Sequence, residues 1–310
     1  MRLARLSSGR LISWLGLIVG LLLLIYLMRW VDWYGAWGTL AAAGMSAVAT
    51  LAVCHLAVLA LDVHAWRLLV PPGKVSFAEL FLMRWVAESV NNIAPVAQVG
   101  GEVVRASMLR QRLGALGPAA LSVSADFVAT AAALAPIALV GVILFAPPYG
   151  LTLSACLAAA LGLAWFIARS ARRLRRWLLV RVAPLRARLQ GLDRRSFARA
   201  WLWHVLAWLA GSVEIYVGLL LLGFPVTFAE ALTIECVLQA SRALAFMIPA
   251  GIGVQEGAIV ALTAWAGVPH AVGLGLALLK RAREISLGLT GLLTWGVWAW
   301  RQRSVRPVTS

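Results

Sequence analysis

A chain of 310 residues would ordinarily hold one or two water-soluble domains, but 62% apolar residues and a mean hydropathy of +0.87 exclude that class. A net charge of +16 would suit nucleic acid if it covered a folded surface; here it falls in blocks between apolar runs and reads as membrane topology and lipid contact. Cys54, Cys156 and Cys236 lie inside apolar runs without CxxC or histidine spacing, so neither a disulfide framework nor a metal site is indicated, and no cofactor is expected.

In chain order, Arg2, Arg5 and Arg10 precede an apolar run over residues 11–28. It is read as a retained anchor: about 20 residues span a bilayer, and Arg29-Trp30-Val31-Asp32-Trp33-Tyr34 stands where a signal-peptide cleavage site would be. Trp30, Trp33, Tyr34 and Trp37 form an interfacial cluster. A second span, at 40–61, continues through Asp62, His64, Trp66 and Arg67 to a stop at Pro71-Pro72-Gly73-Lys74. A glycine-broken module occupies 77–112. A long apolar run over 116–146 follows, interrupted by Pro136 and closed by Pro147-Pro148-Tyr149-Gly150. The second half has an apolar run at 151–168 and a segment at 169–199 with eleven arginines and the single acid Asp193. Then come a span at 201–222, a second broken module over 228–267, and a last span at 271–300. The spacing of Arg169, Arg172, Arg173, Arg176 and Trp177 suits a basic amphipathic helix on anionic lipid.

The two modules repeat one another. Val75-Ser76-Phe77-Ala78-Glu79 returns as Val226-Thr227-Phe228-Ala229-Glu230, and each is followed by an apolar run and a broken turn. The first turn runs from Pro95 through Gln98, Gly100 and Gly101 to Glu102; the second runs from Pro249 through Gly251, Gly253 and Gln255 to Glu256. Proline and glutamate stand seven residues apart in both. Matched Gly/Pro-interrupted segments in the two halves of a membrane protein point to a translocation site built from inverted repeats. If both modules crossed fully, eight crossings would place either the arginine segment or the basic termini outside, against the positive-inside rule. Re-entrant hairpins avoid this. The expectation is an all-α polytopic membrane domain with a first repeat over 1–149 and a second over 150–310, each of three spans plus one hairpin, with both termini cytoplasmic. The tips then meet near the midplane, where non-helical backbone is tolerated only beside protein or water, so a polar cavity is predicted.

The hairpins carry Arg84, Glu88, Asn91, Asn92, Gln98, Glu102 and Arg105, then Glu235, Gln239, Ser241, Arg242, Gln255 and Glu256; the last span adds Lys280, Arg281, Arg283 and Glu284. A charge facing lipid at the bilayer centre costs about 2.5–3.5 kcal/mol, so these groups face one another, water or a ligand. Glu102 and Glu256 have two readings: first-turn caps of helices that restart after the glycines, or carboxylates that exchange a proton or hold a headgroup. Arg84 with Glu88, Glu102 with Arg105 and Lys280 with Glu284 have helical spacing for internal clamps. The cations nevertheless outnumber the acids counted here, and such a surplus favours an anionic guest such as a lipid phosphate. Asp126 is expected to be hydrogen-bonded within the bundle or to line the cavity, Asp62 and His64 to form an ordinary polar boundary, and His55, His204 and His270 to be isolated.

Several of these stretches carry a resemblance. Asn92-x-x-Pro95 with Gly101-Glu102-x-x-Arg105, the run from Pro249 to Gly257, and Arg281-x-Arg283-Glu284 resemble the flippase-like transmembrane region of lysylphosphatidylglycerol synthases and their stand-alone relatives. More narrowly, residues 84–91, the turn from Pro95 to Glu102, and Leu278-Leu279-Lys280-Arg281-Ala282-Arg283-Glu284 are similar to the hopanoid-biosynthesis-associated HpnL-type membrane proteins. The resemblance implies lipid handling in a bacterial inner membrane, with hopanoid or a related polar lipid as cargo. It does not imply aminoacyl transfer, since ten residues follow Trp300 and the synthase domain of the larger relatives is expected to be absent.

The leading expectation is therefore a lipid translocase or lipid-transport component rather than an enzyme, with membrane lipids and lipid-biosynthetic or transport proteins as partners. Its substrate or coupling residues are expected to be Glu102, Glu256, Arg84, Glu88, Asn92, Gln98, Arg105, Arg242, Gln255, Arg281, Arg283 and Glu284, on tip backbone supplied by Pro95, Gly100, Gly101, Pro249, Gly251 and Gly253. There is no ATP-binding loop, so the drive would be a gradient or a partner. The rival of a different class is a scaffold that holds lipid-biosynthetic enzymes through the arginine segment.

Overall fold

The computed structural model describes residues 18, 20–27, 29–93, 100–145, 193–244, 248 and 251–304. Among these the fold is all-helical, without a strand. The helices are α1 (Trp33–Arg67), α2 (Phe77–Ile93), α3 (Gly100–Leu113), α4 (Leu116–Phe145), α5 (Arg194–Leu221), α6 (Phe228–Leu244), α7 (Val254–Trp265) and α8 (His270–Ser304), and residues 20–27 are also helical. The expected run at 151–168 and the arginine segment as far as residue 192, with the basic helix placed there, lie outside the described residues, as do Pro95, Gln98 and Pro249.

Helices α1, α4 and α5 are long and apolar enough to cross a membrane, with hydropathies of 2.0, 2.4 and 1.6. Their bounds differ from the expected spans for local reasons. Helix α1 begins at Trp33 because the Asp32 side chain accepts the Gly35 N–H at 3.0 Å. Helix α5 begins at Arg194 because Asp193 caps it: the N–H groups of Arg195 and Ser196 bond its carboxylate at 3.2 and 3.1 Å and hold its carboxyl below the usual range. Pro136 does not interrupt the run over 116–146; α4 passes through it, as transmembrane helices allow where neighbours compensate the lost hydrogen bond. Helix α8 is as long as α1 but carries Lys280, Arg281, Arg283 and Glu284 within it.

The repeated five-residue stretch proves to be a capping box. The Ser76 N–H and hydroxyl both donate to Glu79 Oε2 at 2.9 Å, and Glu79 N–H returns to the Ser76 hydroxyl at 3.3 Å. Thr227 and Glu230 repeat the pattern at 2.7, 2.8 and 3.2 Å. The helices so started, α2 and α6, are both 17 residues long. Helices α2 and α3 form a hairpin tied at both ends: Glu79 pairs with Arg112 at 2.6 Å, and Asn91 Oδ1 accepts the Gly101 N–H at 2.8 Å.

Packing relations recur between the halves. Helix α1 lies against α5; α8 packs on α1 and α2 as α4 packs on α5 and α6; and α3 packs on α2 and α4 as α7 packs on α6 and α8. The two largest apolar cores both draw residues from α1. Val63, Trp66, Leu80, Met83, Met108, Leu109 and Val123 join α1 to α2, α3 and α4. Leu51, Ile215, Leu219, Ile234, Leu238, Ile259 and Leu276 join α1 and α5 to α6, α7 and α8.

The hairpin closes tightly at Gly101, where a Cβ would overlap the Ala87 carbonyl and Asn91 Nδ2 at 2.8 Å. Gly101→Ala should therefore cost about 1–3 kcal/mol of stability, read from thermal melting of the detergent-purified protein. Gly117→Ala, whose new methyl meets nothing within 4 Å, should melt no lower than the wild type.

Candidate functional site: a buried ionic network

All eight labelled helices send charged or polar side chains into a network of buried, mutually paired groups. Its first part centres on Asp126 of α4, which is fully buried. Asp126 Oδ2 accepts from Arg84 of α2 at 2.8 Å and from Arg105 of α3 at 2.7 Å, while Oδ1 meets His204 Nε2 of α5 at 2.9 Å. The other ring nitrogen of His204 meets Asp62 of α1 at 2.8 Å, and Asp62 also pairs with Arg84 at 3.3 Å. Arg105 also pairs with Glu102, one turn earlier, and its guanidinium lies 4.5 Å over the Trp66 ring.

The second part centres on Glu214 of α5. It receives Arg283 at 2.6 Å and Lys280 at 3.3 Å from α8, and faces His55 Nδ1 of α1 at 3.4 Å. His55 Nε2 bonds Glu88 of α2 at 2.6 Å, and Glu88 also accepts from Asn92 at 3.5 Å. Lys280 reaches Glu235 of α6 at 3.8 Å, and Gln239 donates to the same carboxylate. The third part lies at the start of α7. Glu256 Oε2 accepts the Gly253 N–H at 2.7 Å and its Oε1 takes Arg281, which also holds Glu284 at 2.9 Å; Gln255 donates to Glu284 at 3.0 Å.

Of the expected site residues, Arg84, Glu88, Asn92, Glu102, Arg105, Gln255, Glu256, Arg281, Arg283 and Glu284 all fall in this network, and the Arg242 charge acts on Glu284. At the tips, Gly100 opens α3, Gly101 touches α2, and Gly251 and Gly253 adopt φ of 61° and 80°. The capping reading holds for Glu256, and the clamp reading for Glu102 with Arg105. The other two helical-spacing clamps give way to longer-range partners: Arg84 turns to Asp62 and Asp126, and Lys280 to Glu214 and Glu235.

Three further expectations are corrected. Asp62 is part of the network rather than a polar boundary, and His55 and His204 are each placed between two carboxylates rather than isolated. The positive surplus does not persist. Asp62, Asp126 and Glu214 join Glu88, Glu102, Glu235, Glu256 and Glu284, so that these acids outnumber Arg84, Arg105, Arg242, Lys280, Arg281 and Arg283 by two. An anionic guest is not called for on charge grounds. Between α1, α2 and α8 lies a small pocket, lined in part by His55, Trp85, Glu88, Asn92, Arg283 and Glu284.

Sequence reading missed Asp62, His55, His204 and Glu214. Each is a lone polar residue on an apolar span, and the cost of burying such a group was the signal available. Among the described residues no group of histidine, cysteine and acidic side chains is arranged to hold a metal ion.

Equivalent positions in the two halves carry opposite signs. Arg84 and Glu235 are each seven residues past the first residue of α2 and α6, and Asp126 and Lys280 are each ten past the first of α4 and α8. Arg84 pairs with Asp126, and Lys280 with Glu235.

The family model described as "Lysylphosphatidylglycerol synthase TM region" matches residues 13–291. No curated protein and no solved structure matches the chain.

Because Asp126 receives two arginines and a histidine, with Asp62 and Glu102 as their second partners, Asp126→Asn should destabilise the fold by up to about 3–5 kcal/mol, the usual cost of removing one partner of a buried ion pair. Glu79→Gln, which breaks the exposed pair with Arg112, should cost about 1 kcal/mol or less beyond its cap. Detergent-induced unfolding of the purified variants separates the two.

Proposed function

Given that the chain belongs to the family of the lysylphosphatidylglycerol synthase transmembrane region, a membrane family linked to lipid metabolism, we propose that it is a translocase, or the membrane component of a transport system, for a polar lipid, with hopanoids among the candidate cargoes. The observation that carries this reading is the buried ionic network itself. A membrane bundle held together only by packing has no need of charges on every helix, each costly to bury, whereas a path for a headgroup needs polar partners at that depth.

In this reading the two halves are inverted repeats and the two helical hairpins are re-entrant. The matched capping boxes, the equal lengths of α2 and α6, and the packing relations that recur between halves support it. The headgroup passes through the network near the hairpin tips while the apolar tail stays in the bilayer, and the halves open to alternate faces. Ion pairs that close the path in this conformation exchange one protein partner for a headgroup group when it opens. Glu102 and Glu256, one at the start of each second hairpin helix, are the contacts we assign to the passing headgroup. The stand-alone, hopanoid-associated branch of the family and a bacterial inner membrane with both termini cytoplasmic complete the reading.

Reconstitution tests it. In proteoliposomes carrying fluorescent polar lipids, the wild type should move label between leaflets faster than empty vesicles. Glu102→Gln and Glu256→Gln should each slow this by about tenfold, the equivalent of roughly 1.4 kcal/mol, while still melting cooperatively, at a lower temperature because the pairs with Arg105 and Arg281 are weakened. If no probe lipid moves faster than in empty vesicles, the translocase reading is wrong and the arginine-segment scaffold takes its place.

A further inference from the structure

The charge balance of the network singles out its two histidines. Its acids exceed its arginines and lysines by two, so the network is neutral when both His55 and His204 carry a proton. The two sites differ in access. His204 is fully buried with both ring nitrogens on carboxylates, and Asp126 is already held by two arginines.

His55 borders the pocket between α1, α2 and α8. On one side its Nε2 bonds Glu88 at 2.6 Å, and the Glu88 side chain is 29% exposed. On the other its Nδ1 faces Glu214, which is 3% exposed. One ring thus connects a partly exposed acid at the pocket to a buried one. The charged groups around it are Arg84 and Glu88 from α2, Glu214 from α5, and Lys280, Arg283 and Glu284 from α8.

The chemistry of the ring sets the consequence. Imidazolium has two N–H donors and can serve both carboxylates; neutral imidazole keeps one donor and turns a lone pair toward the other acid. Loss of the proton therefore breaks one of the two bonds. His55 and Glu88 belong to the first half of the chain and Glu214 to the second, so the weaker contact, at 3.4 Å, is a tie between halves.

We propose that His55 is the site at which a proton couples to lipid movement: a proton enters from the pocket through Glu88 to the ring, which then bonds Glu214 and holds the halves together, and its release to water on the opposite face, when the halves open there, breaks the tie. This rests on the translocase reading and names its coupling ion. No bond other than N–H and O–H is made or broken, and one proton enters and one leaves per cycle.

The full chain in vesicles of phosphatidylethanolamine and phosphatidylglycerol, with a trace of fluorescent phosphatidylglycerol outside and pyranine inside, tests it. An imposed gradient of one pH unit should change the wild-type lipid rate by up to about tenfold, the ceiling for one coupled proton, and pyranine should report protons crossing as lipid crosses. His55→Gln and Glu88→Gln should lose this gradient response and flatten the pH profile. If lipid moves but neither gradient nor proton flux accompanies it in the wild type, the coupling proposal is overturned while the translocase reading stands. A gradient response kept by His55→Gln also overturns it. If neither lipid nor protons move, both fall together.

Discussion

An ionised side chain removed from water loses several kcal/mol of solvation unless another charge and well-placed hydrogen bonds replace it. In this bundle that constraint decides how the helices meet. Asp126 has no solvent exposure, yet it receives two guanidinium groups and an imidazole, one from each of α2, α3 and α5. Glu214 has the same position relative to α1 and α8. Apolar packing alone would let helices of similar Leu- and Ala-rich surface slide and rotate. The ion pairs fix their register, because a shift of one residue would leave charges unpaired on several helices at once.

The same constraint explains how two similar halves form one asymmetric site. Capping boxes at Ser76 and Thr227 start hairpin helices of equal length, and equivalent packing relations follow. Arg84 of the first half has a counterpart of opposite sign in the second. The counterpart is Glu235, and the partners Asp126 and Lys280 are exchanged in sign. Each half is thereby self-consistent, and the remaining acids Glu88 and Glu214 meet across His55 at the junction.

Most charged groups of the network are paired internally, which fits the small pocket beside His55. For a headgroup to pass, internal pairs must be replaced by pairs to the guest, and the free energy of opening depends on what the guest offers in exchange. In the proposed translocase this would make the site selective for polar groups without requiring a fixed sign of charge, and protonation of His55 would have disproportionate influence because its ring joins the two halves.

The sequence by itself determined the local features. The repeated Val-Ser/Thr-Phe-Ala-Glu stretch carries its capping chemistry within four residues, the glycines mark where helices restart, and polar residues clustered on hairpins in an apolar chain identify most of the ionic network. Interactions one turn apart were legible too, as with Glu102 and Arg105. Only the tertiary structure decided which partner each charge takes when several are within helical reach. Arg84 could have closed on Glu88, four residues away, but found Asp62 and Asp126, 22 and 42 residues distant in sequence. His204 meets Asp62 across 142 residues. A lone histidine or aspartate on an apolar span looks the same in sequence whether it is idle or central. Its role is set by which faces of other helices it meets, and that depends on the packing of the whole bundle.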